Sequence, residues 1–321
     1  QIEGAECKTE CDRFALALPG RDPETNRVRV TAAPAPGRML YVSPNGNDAN
    51  PGTLGQPFAT VNQALAANRA AGPVAGGTAI ELAAGRYPLA STISLTSTDS
   101  GSGPDAPLSI RATTPGTAVI SGSKRLTGFT AVTNTSILAR LPAEAQGKVM
   151  QCSLTALGIT DYGSIQEQPM VNLSVNGVPQ NLARWPNSGF IRIGGMVDGG
   201  NIDHNNPSLN RPQIFTWSSD RPSRWTTAPD AWIQGYLATN WLYGSVAIGS
   251  INPQARTITT AWTYNRLSGW PDISSGNPYS VFNLLEEIDE PGEWYLDRTN
   301  GMLYWYPSAD PSTAVVDFSM L

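Results

Sequence analysis

The stretch YVSPNGNDANPGTLGQPFATVNQAL, residues 41–65, holds the end of a strand, a turn and the start of a helix. MLYV at 39–42 completes the strand, and Asn45-Gly46 is a dipeptide that favours a tight turn. A helix is predicted from Phe58 to Ala71. Its apolar stripe, at helical spacing, consists of Phe58, Val61 and Leu65. The stretch therefore predicts a strand followed by a short helix that buries one face.

Short strand-like segments recur after this helix: TAIEL, STISL, PLSIRA and TAVISG begin at Thr78, Ser91, Pro107 and Thr117. They alternate apolar with small or polar residues, and Gly, Pro or Asp residues separate them. Their spacing of roughly ten to sixteen residues is too short for helical crossovers between parallel strands. It fits either the hairpins of a sandwich or the coils of a parallel β-helix, and periodicity leaves both open.

From about residue 165 onward the chain is richer in aromatic residues and in hairpin signals. Asn176-Gly177 and Asn300-Gly301 each lie between two strand candidates, and SVAIGSINPQARTITTAW at 245–262 has a further hairpin pattern. YSVFNLLEEIDEPG at 279–292 predicts a short helix that ends at its Pro-Gly pair. The second part of the chain is therefore predicted to be an antiparallel β-module, either a barrel or a sandwich.

Composition limits the chemistry that the chain can perform. Its 321 residues include one histidine, His204, and three cysteines. Multi-histidine zinc sites and four-cysteine sites are therefore excluded within the chain, and no metal site is predicted. A net charge of −5 and a pI near 5.0 do not provide the positive field that draws proteins to nucleic acid. Nucleic acid is therefore not expected as a partner. No apolar run is long enough to span a membrane as a helix, so a membrane is not expected as a partner either.

The N-terminal residues bear on the cellular compartment. The chain begins at Gln1 without a methionine or a signal-peptide pattern. We therefore predict a processed protein that is secreted or periplasmic. In that oxidising environment Cys7 and Cys11 are close enough to form a disulfide, with two free thiols in an irregular arm as the alternative. Cys152 is then left over, either buried as a small apolar residue or paired outside the chain.

Two groups of residues resemble a known class of protein. Residues 41–65, followed by GTAIELAAGRYPL at 77–89, resemble the opening of secreted right-handed parallel β-helix proteins that act on polysaccharides. NLARWPN at 181–187 with DEPGEWYLDRTNGMLYWYP at 289–307 is similar to a subset of β-helix glycoside hydrolases that carry a small inserted β-domain. The resemblance implies a mostly β fold, in which the first coils of a right-handed parallel β-helix carry an N-terminal capping helix and an inserted antiparallel barrel or sandwich.

This implied fold divides the chain into four segments. We expect an extended arm at 1–38, the capping helix and first coils at 39–160, the inserted antiparallel module at 161–314, and a strand returning to the β-helix at 315–321. That last strand, VVDFSML, has no cap or turn after it. Because an unstacked coil exposes backbone and apolar side chains, a second chain that continues the β-helix is predicted as a partner. A complete two-module binding protein is the alternative.

The resemblance also implies a function: a secreted enzyme that degrades a polysaccharide or oligosaccharide by hydrolysis, using two carboxylates and no cofactor. In proteins of this kind the carboxylates generally lie on later coils, so the pair is expected mainly outside this chain. Two alternatives stay open. One is a lyase that abstracts a proton from a uronic acid, for which calcium would be the cofactor. The other is a non-catalytic carbohydrate-binding or surface β-helix protein.

The densest acidic run, EEIDEPGE at 286–293, provides the candidates for catalysis. Hydrolysis of a glycosidic bond needs one carboxyl held protonated by its surroundings, and the adjacent Trp294 could supply an apolar wall. The catalytic candidates are Asp289, Glu290 and Glu293. The alternative is a solvated helix face whose carboxylates tie the following hairpin together.

Three residues elsewhere are candidates for binding a sugar. Trp185 could stack on a sugar ring while the guanidinium of Arg184 binds a hydroxyl or carboxylate group. The alternative for this pair is a core tryptophan beside an arginine that extends to solvent. His204, in the Asn-rich loop IDHNN, could act as a base or bond a sugar, and an exposed loop residue is its alternative.

Overall fold

The computed structural model describes most of the chain and divides it into two compact units. The first unit contains the described part of Gln1–Tyr87 together with Ile93–Ile120, and the second contains Pro88–Thr92 and the described part of Ser121–Leu321. Strands outnumber helices among the described residues, and the longest helix there has 11 residues. The described residues are 35–162, 172–201, 206–225, 228–262 and 272–319.

The first unit is built on a small parallel sheet. β1, β2 and β4 pair in parallel in that order, while β3 and β5 form a separate two-stranded sheet. A 3-10 turn at Ser97–Asp99 lies between them in sequence. The strands and the helix of this part are β1 (Arg38–Val42), α1 (Val61–Ala71), β2 (Thr78–Leu82), β3 (Gly85–Pro88), β4 (Leu108–Ala112) and β5 (Ala118–Ser121).

Helix α1 begins where its N-cap satisfies a free backbone donor. The Thr60 hydroxyl accepts a hydrogen bond from the Gln63 backbone N–H at 3.1 Å. The predicted start at Phe58 is wrong by three residues because Phe58 instead forms a parallel bridge with Val42. The apolar face is confirmed: the helix residues Val61 and Leu65, with Phe58 before them, are buried in one cluster with residues of β1 and β2.

The predicted parallel β-helix is wrong. Among the described residues, β1, β2 and β4 form a sheet of three strands, β3 and β5 lie in a separate sheet of two, and the Ser91 segment forms no strand. The next strand, β6 (Ser123–Leu126), pairs antiparallel with Val316–Ser319 from the far end of the chain. Alternation in sequence identifies a strand but not its partner, so local spacing could not distinguish successive coils from strands with distant partners.

The second unit contains sixteen described strands and one short helix, α2 (Thr135–Leu138). Its 3-10 turns lie at Thr155–Leu157, Pro207–Leu209, Arg221–Arg224 and Leu285–Glu287. After β6, the strands are β7 (Thr130–Ala131), β8 (Met150–Ser153), β9 (Leu173–Val175), β10 (Val178–Pro179), β11 (Asn181–Leu182), β12 (Arg184–Trp185), β13 (Ile191–Asp198), β14 (Ile214–Trp217), β15 (Trp232–Gly235), β16 (Gly244–Asn252), β17 (Thr257–Thr260), β18 (Pro278–Phe282), β19 (Glu293–Asp297), β20 (Met302–Trp305) and β21 (Val316–Ser319).

Six of these strands close into an antiparallel barrel. The order is β18-β13-β14-β17-β16-β15, and β15 returns to pair with β18, so the ring leaves no free edge among its strands. The short strand β12 extends the sheet beside β18. Inside the barrel, Phe215, Trp225 and Tyr279 are fully buried. An antiparallel module was predicted for this part of the chain, and the structure makes it a barrel.

Two further sheets stand beside the barrel in this unit, ordered β10-β9-β21-β6 and β11-β19-β20-β8-β7. Trp294, Trp305 and Phe318 are buried between their strands. The two Asn-Gly hairpins are confirmed as β9–β10 and β19–β20. Asn176 and Gly177 have φ values of 52° and 80°, the left-handed pair that a two-residue hairpin turn requires.

The helix predicted at 279–292 is wrong. Its first residues form the barrel strand β18, and Leu285–Glu287 form a single 3-10 turn. Every residue from Val281 to Ile288 is buried, so both faces of the segment are covered. A continuous buried run has no polar face, and for that reason its periodicity does not separate a strand from a helix.

The final described strand, β21, is bonded on both edges by strands of this chain, β9 and β6. The structure therefore gives no support to the predicted second chain that would pair with it. Cys152 is a buried free thiol whose Sγ donates to the Thr127 carbonyl at 3.3 Å, and burial raises its pKa to about 11. In the described part of the chain, no helix is long and apolar enough to cross a membrane.

Candidate functional site

Strand β12 places two neighbouring candidate residues on opposite sides. Arg184 pairs with Phe282 and Trp185 pairs with Val281 on β18. Successive side chains of a strand point to opposite faces, so the two residues separate. Trp185 packs on the barrel core, with its ring 5.8 Å from that of Trp225 and at 66° to it. Arg184 lines an open cleft instead.

This cleft lies entirely in the second unit and has a volume of about 330 Å³. Among the residues that line it, all of them described, Arg184 alone carries a charge. Pro179, Leu182, Phe282 and Trp294 form its apolar part. The polar remainder consists of four side-chain amides, from Asn172, Gln180, Asn181 and Gln234. The site thus combines neutral hydrogen-bonding groups with one cation.

One of the four amides is engaged by the chain itself, and at least two have no hydrogen-bond partner among the described residues. The Gln180 side chain is engaged, because its Oε1 accepts from the Ser308 hydroxyl at 2.7 Å and its Nε2 donates to the Val178 carbonyl at 3.0 Å. The side chains of Asn181 and Gln234 have no hydrogen-bond partner within the described ranges. An amide that offers both donors and an acceptor is suited to hydroxyl-rich ligands.

An aromatic trio, Phe190, Tyr236 and Tyr243, lies near Arg184 and outside the lining of the cleft. The Arg184 Nη2 donates to the carbonyl of Gly189, the residue before Phe190, at 3.1 Å. The three rings meet edge to face, with centroids 5.4 to 6.4 Å apart. Phe190 and Tyr243 are 42% and 46% exposed. Burial raises the pKa of the Tyr243 hydroxyl, and the nearby Arg184 charge opposes that rise.

The acidic run at 286–293 forms a different kind of centre, organised by Arg221. The Arg221 guanidinium donates to both carboxylate oxygens of Glu287, at 3.0 Å to Oε1 and 2.5 Å to Oε2, and to Asp289 at 2.6 Å. The Trp225 indole donates to Glu287 at 2.5 Å, and Asn187 donates to Asp289 at 2.8 Å. Glu287 is fully buried, and that burial raises its pKa, while Arg221 and Trp225 lower it.

The remaining carboxylates of the run also have structural contacts or face solvent. Glu293 is 3% exposed, and its carboxylate accepts from the backbone N–H groups of Asp289 at 2.9 Å and Glu290 at 3.1 Å. Burial raises its pKa to about 7, against the effect of these donors. Glu290 itself is exposed. Glu286 is buried and accepts from Arg140 at 2.8 Å.

These contacts favour a structural role for the acidic run. A hydrolytic pair must flank the scissile bond across open space, whereas Asp289 and Glu287 share one guanidinium and Glu293 closes a turn. None of the three catalytic candidates lines the Arg184 cleft. Among the described residues, no cluster of three or more His, Cys, Asp or Glu side chains could hold a metal ion.

A larger cleft, of about 500 Å³, lies in the first unit, but its charged side chain already has a partner within the chain. Its arginine, Arg69, forms a bidentate pair with Asp99 at 2.8 Å. The Arg69 hydrogen bond holds the pKa of Asp99 well below its usual range. The residues that line this cleft, all within the described ranges, include no aromatic side chain. We therefore take the Arg184 cleft as the candidate site.

Three of the predicted residues lie outside the described residues: His204, Cys7 and Cys11. The disulfide and the role of His204 stay predictions. Sequence reasoning missed Gln234 and the aromatic trio, whose members come from the loops at 190 and 236–243. Their one signal in sequence was aromatic content near Arg184, and only the barrel brings the two loops together.

Comparison with known proteins gives a likeness in fold. No protein-family model matches the chain, and no curated protein matches it. A solved structure named "Glycoside hydrolase" is similar with a TM-score of 0.63 and 21% identity, covering 87% of this chain and 45% of that one. Another, "The complex structure of XylC with xylose", has a TM-score of 0.39 and 16% identity, covering 88% and 31%. The chain thus spans less than half the length of each.

Proposed function

We propose that this chain is part of a carbohydrate-active protein of the glycoside hydrolase type, and that the Arg184 cleft is where it binds a saccharide. The observation that supports the proposal is the cleft with its free amides, whose Arg184 reaches the loop that carries the half-exposed ring of Phe190. Sugars present hydroxyls at their edges and apolar C–H faces, which suit amides and aromatic rings respectively. The fold shared with a structure named a glycoside hydrolase supports the same class.

In this proposal the chain binds the saccharide, and the chemical step takes place elsewhere. The cleft is lined by no carboxylate among the described residues, so it cannot supply the two acids that hydrolysis needs. We propose that the reacting carboxylates belong to another part of the protein, and that the protein is secreted or periplasmic, where polysaccharides are met. No step is assigned to the Arg221 centre.

Binding to a panel of oligosaccharides by calorimetry tests the proposal. Gln234→Ala should weaken the binding of the saccharide that the wild-type chain selects by roughly three- to tenfold, because a free amide in the cleft is lost. Gln254→Ala is the matched control, since Gln254 is exposed in the β16–β17 turn, and it should bind as the wild type does. If no saccharide binds, or if both variants bind equally well, the proposal is wrong.

A further inference from the structure

The Arg184 guanidinium differs from several other arginines of this chain, which are paired with carboxylates. Arg69, Arg140 and Arg221 each contact a carboxylate at 2.8 Å or less. Within the described ranges, Arg184 has no carboxylate at salt-bridge distance, and the acceptor of its guanidinium is one backbone carbonyl, that of Gly189. Its Nε is buried without an acceptor. The positive charge in this cleft is therefore not neutralised by the described residues.

The surroundings strengthen that charge. An uncompensated cation attracts an anion more strongly beside apolar walls than in water, because the local dielectric constant is lower. Here Phe282, Leu182 and Trp294 form such walls, and the carboxylate of neighbouring Glu293 accepts from backbone N–H groups. The Arg184 Nη2 bonds the carbonyl of Gly189, next to Phe190, so the charge lies close to the aromatic trio.

The side chain is also not required to hold its own strand. The backbone of Arg184 pairs with β18, and the neighbouring Trp185 fixes the strand to the barrel core. If the side chain only covered a surface, a lysine or a glutamine could take its place. The planar fork of a guanidinium is the group that binds carboxylates and related anions with two parallel hydrogen bonds.

We infer that the Arg184 cleft selects an acidic saccharide, in which the anionic group of one sugar binds Arg184, its hydroxyls bind Asn181 and Gln234, and the next sugar packs on the aromatic trio. This inference rests on the proposed function and names its ligand class. A uronate carboxylate and a sulfate ester share this chemistry. The cleft then needs at least two linked sugars to be filled from the amides to the rings.

Matched pairs of ligands test the inference. Galacturonate, glucuronate and mannuronate trimers are each compared with their methyl esters, which keep the backbone and lose the charge, and sulfated neutral trimers are compared with unsulfated ones. At least one charged trimer should bind roughly ten- to a hundredfold more tightly than its uncharged partner. Whether the preference is found in the uronate or the sulfated series identifies the anion.

The variants locate the preference on one side chain. Arg184→Gln should reduce the ratio of the two dissociation constants to about one, and Arg184→Lys should restore part of it. Arg192→Gln is the matched control, because Arg192 on β13 likewise bonds one backbone carbonyl, that of Gly276, at 3.1 Å. Circular dichroism should show all three variants folded. A ratio that is unchanged in Arg184→Gln would overturn the inference.

The remaining outcomes separate the inference from the proposed function. Neutral trimers that bind as tightly as charged ones would overturn the inference and leave saccharide binding standing. Failure of every charged and neutral trimer to bind would overturn both. New unsaturated ends in the uronate series would support an acidic ligand and overturn the proposal that this chain binds without reacting.

Discussion

The second unit contains two centres built around an arginine. They differ in how far the guanidinium is already bound by other groups of the chain. Arg221 has two carboxylates and a tryptophan around it, and its partner Glu287 is fully buried. Arg184 has one carbonyl, two free amides nearby and an open cleft. Closely spaced charged residues can therefore all be bound by partners within the chain, which leaves none for a ligand. A lone charge beside aromatic rings leaves capacity for a ligand.

The largest effect should come from breaking the Arg221 centre. Arg221→Ala leaves the buried Glu287 carboxylate without its partner, which typically lowers the free energy of unfolding by about 3–5 kcal/mol. Urea unfolding measures it. Arg256→Ala is the control, because Arg256 pairs with the exposed Asp220 and its loss should leave the midpoint unchanged. Normal stability of Arg221→Ala with lost saccharide binding would reverse the comparison.

Trp185 tests whether the cleft side of β12 alone binds the ligand, since it adjoins Arg184 but packs on the barrel core. Trp185→Ala should lower the free energy of unfolding by about 2–3 kcal/mol, less than the loss of a fully buried tryptophan, because its ring packs partly on Trp225. Thermal melting measures the loss, and the dissociation constant for saccharide should stay within about twofold at temperatures where the variant is folded. Intact melting with weakened binding would make Trp185 a sugar-stacking residue.

Glu293 connects the two centres, because its carboxylate lies near the Arg184 backbone N–H at 3.4 Å and accepts from Asp289. Its pKa is raised from 4.5 to about 7 in the fold, so folding favours the protonated form. The resulting stability is fully present below pH 4.5 and is lost as pH rises through about 7. Between these limits the wild type should lose on the order of 3 kcal/mol relative to Glu293→Gln. Parallel pH profiles of the two proteins would contradict this.

The smallest expected effect concerns the aromatic trio. Tyr243→Ala should weaken saccharide binding by about 1 kcal/mol, roughly fivefold in Kd, because one stacking ring is lost. The melting temperature should change little, since Tyr243 is 46% exposed. Val197→Ala on the same barrel, where Val197 is 61% exposed, is the control and should bind normally. Equal binding by both variants would remove the trio from the site.

Sequence reasoning succeeded where the signal was local. The Asn176-Gly177 and Asn300-Gly301 turns and the apolar face of α1 depend on neighbours within a few residues. It failed where partners come from far along the chain. β6 pairs with β21 across 192 residues at Arg125 and Asp317, a closure that no spacing rule anticipates.

The site was predictable in part for the same reason. Arg184 could be singled out as a charge beside a tryptophan, but the sequence does not reveal that Arg221 would engage Glu287 and Asp289. Gln234 and Tyr243 belong to the site only because the barrel strand β15 returns beside β18. Ring closure therefore determines which polar residues stay free, and this property belongs to the fold rather than to any motif.

A crystal structure with a bound acidic oligosaccharide tests the central comparison most directly. We expect sugar density in the cleft. The anionic group of the sugar should lie on Arg184, its hydroxyls on Asn181 or Gln234, and a further ring against Tyr243. The Arg221 contacts to Glu287 and Asp289 should be the same with and without ligand. Sugar seated against Asp289, Glu290 or Glu293, with the Arg184 cleft empty, would contradict the account.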